Sequence, residues 1–307
     1  MWAYAITAPG QLERIEAPVP SASDGQRLVR LLAGGICGSD LPFFRGRRSR
    51  DFIDHTGEPG FPLHEVVGVA EDGTRVVGWA AGHRGLAEWF VVDADNVIAV
   101  DADLTDVEAT VIQPLATVLY ALGRVGDVHG ARAAVIGLGS IGLLFAHALA
   151  ARGAHVTGID RVDRRDTADV FGLRAVLWDD AVALPHDRFD LVVEAVGHQT
   201  RTLTAAVDAV AVEGTVLAFG VPDDAHYALP FTRFFRKNAT LIGGVAKERR
   251  SSLTAARAYL LGPARELLDA YITDVVPVTR AQEAFERAIA PTAGQRKLVL
   301  SVADVDP

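Results

Sequence analysis

Residues 133–142 read AAVIGLGSIG. An apolar run suited to a strand passes directly into Gly137-Leu138-Gly139-Ser140-Ile141-Gly142, and SIGLLFAHALAARG then repeats apolar residues at helical spacing. A strand, a glycine turn and a helix in that order constrain the fold more than any other part of the chain. The first glycine permits the tight turn. The second lets backbone approach a diphosphate with no Cβ in the way, and the third lets the helix close on the strand. The helix start offers free N–H groups and a partial positive charge. The next apolar strand, HVTGID, ends at Asp160, 21 residues beyond Gly139. A carboxylate there accepts hydrogen bonds from both hydroxyls of an adenosine ribose and repels a 2′-phosphate. Gly137, Gly139, Ser140, Ile141, Gly142 and Asp160 are therefore expected to bind a dinucleotide, NAD in preference to NADP. Arg161, Arg164 and Arg165 follow immediately and could hold a 2′-phosphate, which keeps NADP open.

The alternation continues on both sides of this turn. LATVLYALGRVG and RRDTADVFGL read as helices, and RAVLW, FDLVVEAVG, TVLAFGV and ATLIGGV as strands. Strands separated by helices predict a parallel sheet covered on both faces, an α/β unit over residues 115–246. Residues 1–114 are different: short apolar pieces such as EVVGVA and RVVGWA are punctuated by Gly, Asp and Pro, which predicts a β-rich unit. The tail from residue 247 carries two helical stretches, SSLTAARAYLL and TRAQEAFERAI, and a last strand, KLVLSV. A chain of 307 residues, half of them hydrophobic and 22% charged, has enough material for two cores.

No apolar run approaches the ~18 residues of a membrane span. MWAYAITAPG has neither a basic n-region nor a long apolar h-region, so a cytoplasmic address is expected. The net charge of −9 argues against nucleic acid as a partner. RGRRSR, at 45–50, is too short to change that and reads as a solvated loop.

Cys37 is the only cysteine, so an internal disulfide and a four-cysteine zinc site are both excluded. His64 and Glu65 are adjacent, in FPLHEVVG. Cysteine and histidine are preferred zinc ligands. On a regular strand His64 and Glu65 would face opposite ways, and both reach one ion only if the backbone turns there. The residue types alone leave His64 equally open to being a packed imidazole.

At these segments the chain resembles the medium-chain, zinc-dependent alcohol and polyol dehydrogenases. GGICGSD is similar to the family's first zinc-ligand segment and FPLHEVVG to its Gly-His-Glu segment. VIQPLATVLYAL, AAVIGLGSIG, FDLVVEAVG, VLAFGVP and RKNATLIGG follow in the family's order. The resemblance implies a GroES-like catalytic domain made of residues 1–114 and 247–307, and a Rossmann domain over 115–246. It implies one catalytic zinc held by Cys37, His64, Glu65 and Gln113, with Ser39 passing on the alcohol proton. It adds Ala195, Gly220 and Val221 to the cofactor-binding residues. The substrate would be a sugar, cyclitol or similar polar secondary alcohol or its ketone, and the assembly a homodimer or homotetramer. Phe43, Phe44, Trp79 and Trp89 would either wall the substrate site or belong to the core.

Four departures stand out. The family's four-cysteine structural-zinc lobe would fall between GTRVVGWA and GHRGLAEWF, where only a few residues lie, so no structural zinc is expected. Leu63 replaces the glycine before His-Glu. Pro42 stands where many members carry a histidine that completes a proton relay, so protons would leave by water or by another group, such as His55. Gln113 replaces a frequent carboxylate. Zinc-free double-bond reductases of the same superfamily lack the Cys and the His-Glu pair. The remaining alternative is a nucleotide-binding relative without catalysis.

Overall fold

The computed structural model describes residues 1–47, 55–100, 102–180 and 184–303. The second half of RGRRSR, residues 48–50, lies outside the described residues. The first hundred residues form strands β1 (Trp2–Ala8), β2 (Gln11–Glu16), β3 (Gln26–Gly35), β4 (Glu65–Ala70), β5 (Arg75–Trp79), β6 (Trp89–Asp93) and β7 (Val97–Ala99), interrupted by the short helix α1 (Leu41–Phe44). Helices α2 (Asp106–Ala109) and α3 (Ile112–Gly123) follow. Thr105 and Glu108 cap α2 reciprocally, side chain to backbone at each end.

The alternating part is β8 (Arg132–Ile136), α4 (Ser140–Ala151), β9 (His155–Asp160), β10 (Leu173–Trp178), β11 (Phe189–Glu194), α5 (Arg201–Ala209), β12 (Val210–Ala218), α6 (Phe231–Arg236) and β13 (Thr240–Gly243). The tail supplies α7 (Arg249–Leu261), α8 (Leu268–Tyr271), β14 (Ile272–Pro277), α9 (Ala281–Ile289) and β15 (Lys297–Ser301). Among the described residues no helix is long and apolar enough to cross a membrane.

Contacts divide the chain into two compact units. One is Met1–Ala116 with Lys247–Pro291 and Gln295–Pro307, and the other is Thr117–Ala246 with Thr292–Gly294. In the first unit a sheet runs β14-β15-β3-β4-β5-β7, with β6 on β3. The last strand, β15, pairs antiparallel with the end of β3, Val299 opposite Gly35. The tail therefore completes the β-rich unit. Its core mixes Phe44, Phe61, Leu63 and Phe90 with Phe285, Leu298 and Leu300 from the tail. Phe43 and Phe44 belong to that core, and Phe43 meets Phe61 edge-on with ring centroids 5.0 Å apart.

In the second unit six strands run β10-β9-β8-β11-β12-β13, all pairs parallel. This is the doubly wound order, which reverses between β8 and β11 and opens a crevice at the carboxyl ends of the strands. The helix expected over RRDTADVFGL does not form. A single 3₁₀ turn at Arg165–Thr167 stands there instead. Asp163 Oδ1 accepts from Arg165 N at 3.1 Å, and Thr167 Oγ1 donates to Arg164 O at 2.6 Å. Such local side-chain bonds satisfy backbone groups that a helix would otherwise use.

Candidate active site

In the first unit the site begins at the end of β3. Gly35 has no room for a side chain: a Cβ there would meet the Glu65 carboxylate and the Lys297 chain. The chain then turns through Cys37–Asp40, closed by Asp40 N donating to Cys37 O at 3.1 Å. Asp40 is fully buried. Its Oδ2 accepts from Cys37 N at 3.0 Å and its Oδ1 pairs with His64 Nδ1 at 2.8 Å. A carboxylate on Nδ1 fixes a proton there and leaves Nε2 as the nitrogen that can ligate a metal. Burial pushes the His64 imidazole down, but the Asp40 charge and hydrogen bond, with the Cys37 sulfur, raise it well above the usual histidine value.

His64 immediately precedes β4 and Glu65 begins it. Strict alternation would send the two side chains to opposite faces, but His64 stands just outside the strand proper. Donor atoms of Cys37, His64 and Glu65 lie within 4.8 Å of one another. Ser39 Oγ donates to Cys37 Sγ at 3.3 Å. Glu65 is also gripped from behind by the buried ammonium of Lys297, whose Nζ donates to Ile36 O at 2.9 Å as well. Gln113, near the start of α3, is 2% exposed. It follows α2, which packs on β3, β4 and β15.

The donor chemistry fits a zinc ion: one thiolate, one imidazole with its second nitrogen fixed by a carboxylate, and one carboxylate. In the Asp40→Asn variant His64 loses that fixed tautomer. Zinc affinity is expected to fall about 10- to 100-fold, measured by competition with a chromophoric chelator.

Sequence reasoning missed His83. It sits at φ 56°, in the left-handed region, in the nine residues between β5 and β6 where the family lobe is missing. Its ring centroid is 4.3 Å from that of His64, and its Nδ1 is 3.9 Å from Asp40 Oδ1. Burial and then the His64 charge push its imidazole down to about 4. Asp40, His64 and His83 form a second donor group, although both Asp40 oxygens already accept hydrogen bonds. No spacing rule could have found His83, because its contact with His64 is tertiary. His55 pairs with Glu58 at 2.7 Å, and Glu58 with Arg84 at 2.9 Å.

In the second unit the glycine turn joins β8 to α4. Gly137 has φ +88°, which glycine adopts at no steric cost. A Cβ on Gly142 would strike the Gly137 carbonyl, whereas one on Gly139 would meet nothing within 4 Å. The backbone before α4 is thus open at Gly139. Ser140 and Ile141 are the first two residues of α4. Asp160 ends β9, and its carboxylate accepts from Leu138 N at 2.6 Å and from Val162 N at 2.8 Å. Ala195 follows β11 and borders Gly137. Gly220 and Val221 follow β12, where His198 N donates to Val221 O at 2.8 Å. Glu194 fixes this corner by accepting from Val196 N, Gly197 N and Thr202 Oγ1 at 2.7–3.0 Å.

The three arginines after Asp160 differ sharply. Arg164 is buried, and its guanidinium donates to the carbonyls of Thr292 and Ala293. Arg165 makes two bonds to Asp163 at 2.9 and 2.7 Å, holding that carboxyl down to about 2, and lies 5.0 Å from the Trp178 ring centroid. Arg161 is exposed.

A family profile described as glucose dehydrogenase C-terminus matches residues 112–292. The chain belongs to this family. It is a medium-chain dehydrogenase of the alcohol and polyol type, as the order of its segments implied. The family's D-altritol 5-dehydrogenase from Agrobacterium fabrum is 30% identical over 297 residues, covering 81% of this chain and 85% of that protein. Glucose 1-dehydrogenase 1 of Haloterrigena turkmenica is 26% identical over 343 residues, with 89% of each chain covered. In fold, the chain superposes on the alcohol dehydrogenase from Thermus sp. ATN1 with a TM-score of 0.83, covering 98% of this chain and 100% of that one at 23% identity.

Proposed function

We propose that this protein is a zinc- and NAD-dependent dehydrogenase that interconverts a polar secondary alcohol, on a sugar, polyol or cyclitol, with its ketone. The convergence of Cys37, His64 and Glu65 carries this reading. Cys37, His64, Glu65 and the buried amide oxygen of Gln113 would hold a single zinc. A bound zinc supplies Lewis acidity toward the substrate oxygen, and a bound nicotinamide supplies the hydride acceptor. The chain's own part is to orient and to move protons. Asp40 fixes His64. Ser39, beside the Cys37 sulfur, is the hydroxyl that takes the alcohol proton outward. Pro42 occupies the first turn of α1, so the next proton acceptor is water rather than a histidine at that position.

The glycine turn would bind the dinucleotide diphosphate and Asp160 the adenosine ribose. Two of the three neighbouring arginines are already engaged, which supports NAD over NADP. Asp160→Ala is expected to reduce the NAD-to-NADP ratio of kcat/KM about tenfold or more, read from initial rates with both cofactors.

A homo-oligomer is also proposed. Leu241 on the sheet-edge strand β13, with Val245, Phe231 and Phe235, leaves apolar side chains 43–70% exposed, and the Phe231 and Phe235 rings lie side by side; exposed apolar surface of this kind favours a partner. A cytoplasmic location suits a lone thiol with a ligand's role.

The deciding experiment is a screen of sugars, polyols and cyclitols with NAD and NADP, with zinc assayed in the protein and a chelator in parallel. Turnover that falls with zinc loss is expected. Full activity without zinc would refute the zinc-dependent reading, and no NAD reduction with any alcohol would refute the dehydrogenase reading.

A further inference from the structure

Each carboxylate around the Cys37–His64–Glu65 cluster is matched. Glu65 is held by Lys297, Asp40 by Cys37 N and His64, and Glu58 by His55 and Arg84. Arg249 is not matched. Its guanidinium lies 5.2 Å from the centroid of the Trp79 ring, and among the described residues it has no carboxylate within ion-pairing distance.

Trp79 ties that guanidinium to the cluster. It is the register partner of Glu65 across the antiparallel pair β4–β5. Directly opposed residues project from the same face with their Cβ atoms about 5 Å apart. Trp79 is 8% exposed, so the guanidinium covers one of the few open parts of its ring.

Arg249 is fixed in place as well. It is the first residue of α7, and α7 is anchored to the first unit on both sides: Arg250 donates to Ala94 O at 2.8 Å and Arg257 to Ala99 O at 3.3 Å. Before the start of α7 lies an open depression of about 640 Å³. Lys247, Arg249 and Arg250 line it together with Asp95 and Glu248. Glu248 already takes a long hydrogen bond from Ser251. The balance on this wall is cationic in a chain whose net charge is −9.

A stacked guanidinium with no carboxylate in ion-pairing distance among the described residues is a preorganised receptor for a planar or tetrahedral oxyanion, which it grips with paired N–H donors. We propose that Arg249 determines specificity, selecting alcohols that carry a phosphate or carboxylate group over uncharged ones. This rests on the dehydrogenase reading above and sharpens its substrate class. The carbinol carbon addresses the Cys37–His64–Glu65 cluster, and the oxyanion meets Arg249 on the Trp79 side.

The test compares sorbitol, sorbitol 6-phosphate and gluconate with wild type, Arg249→Lys and Arg249→Met. Two readouts are used: KM with NAD, and calorimetric binding to the NADH-loaded protein. Wild type should favour at least one anionic probe over sorbitol roughly 10- to 100-fold. Which anion gains more tells phosphate from carboxylate. Arg249→Met, which keeps an apolar side chain over Trp79, should bring the ratio close to one, and Arg249→Lys should restore part of it. Equal preference in wild type and Arg249→Met overturns the proposal, because Arg249 would then be only a packing lid. Equal binding of all three probes by wild type overturns it too. The calorimetric arm does not depend on turnover. A protein that binds the anionic probes through Arg249 yet reduces no NAD would refute the dehydrogenase reading and leave the anion site standing.

Discussion

Cys37→Ala protein, purified beside the wild type, is expected to carry roughly a tenth or less of its zinc and to lose about a thousandfold or more in kcat/KM. The thiolate is the only soft donor among the proposed ligands, and thiolates contribute strongly to zinc selectivity. Without it the site keeps an imidazole, a carboxylate and an amide, a set that holds zinc weakly. Substitution also leaves Ser39 with no sulfur to bond. The variant should fold normally, because Cys37 lies at the edge of the core and the turn is held by Asp40 and backbone bonds. Zinc content by plasma mass spectrometry and a far-UV circular dichroism melt separate the two effects. Wild-type zinc and wild-type rate in this variant would reduce Cys37 to a packing residue.

Lys297→Met should lower the melting temperature by roughly 6–20 °C. Lys297 and Glu65 are both essentially inaccessible to solvent. Removing the ammonium strands the Glu65 carboxylate in the core, and breaking one side of a buried pair costs about 3–5 kcal/mol. In a protein of this size each kcal/mol corresponds to about 2–4 °C. The double variant Glu65→Gln, Lys297→Met should regain part of the loss, since no buried charge then remains. Bound zinc should restore some stability to Lys297→Met, because the ion would offer Glu65 a second counter-charge. A melt within about 1 °C of wild type would show that the pair contributes nothing to folding.

The parallel unit was legible because its signals are local. Continuous apolar strands, a glycine turn and helical spacing declare themselves within 10–15 residues, and the turn, Asp160 and α4 stand where that pattern puts them. The stretch after Asp160 misled for an equally local reason. Its apolar spacing suits a helix, but Asp163 and Thr167 bond nearby backbone and Arg164 turns inward to Thr292 and Ala293. The Cys37–His64–Glu65 cluster was only partly legible. Residue type brought Cys37, His64 and Glu65 forward, while alternation on a regular strand argued against the last two acting together. Their donor atoms nevertheless converge within 4.8 Å, with His64 just ahead of β4.

The doubly wound unit, the family and the lack of a four-cysteine lobe can be read along the chain, because each depends on neighbouring residues or on a count. The charges around the first site cannot, because they come from tertiary contacts. Asp40 meets His64 across 24 residues, Lys297 meets Glu65 across 232, and Arg249 reaches Trp79 from the far end of the chain. These contacts arise because β15 returns to β3 and α7 packs beside β7. Electrostatic energy depends on distance in space, which residue spacing along a chain does not encode.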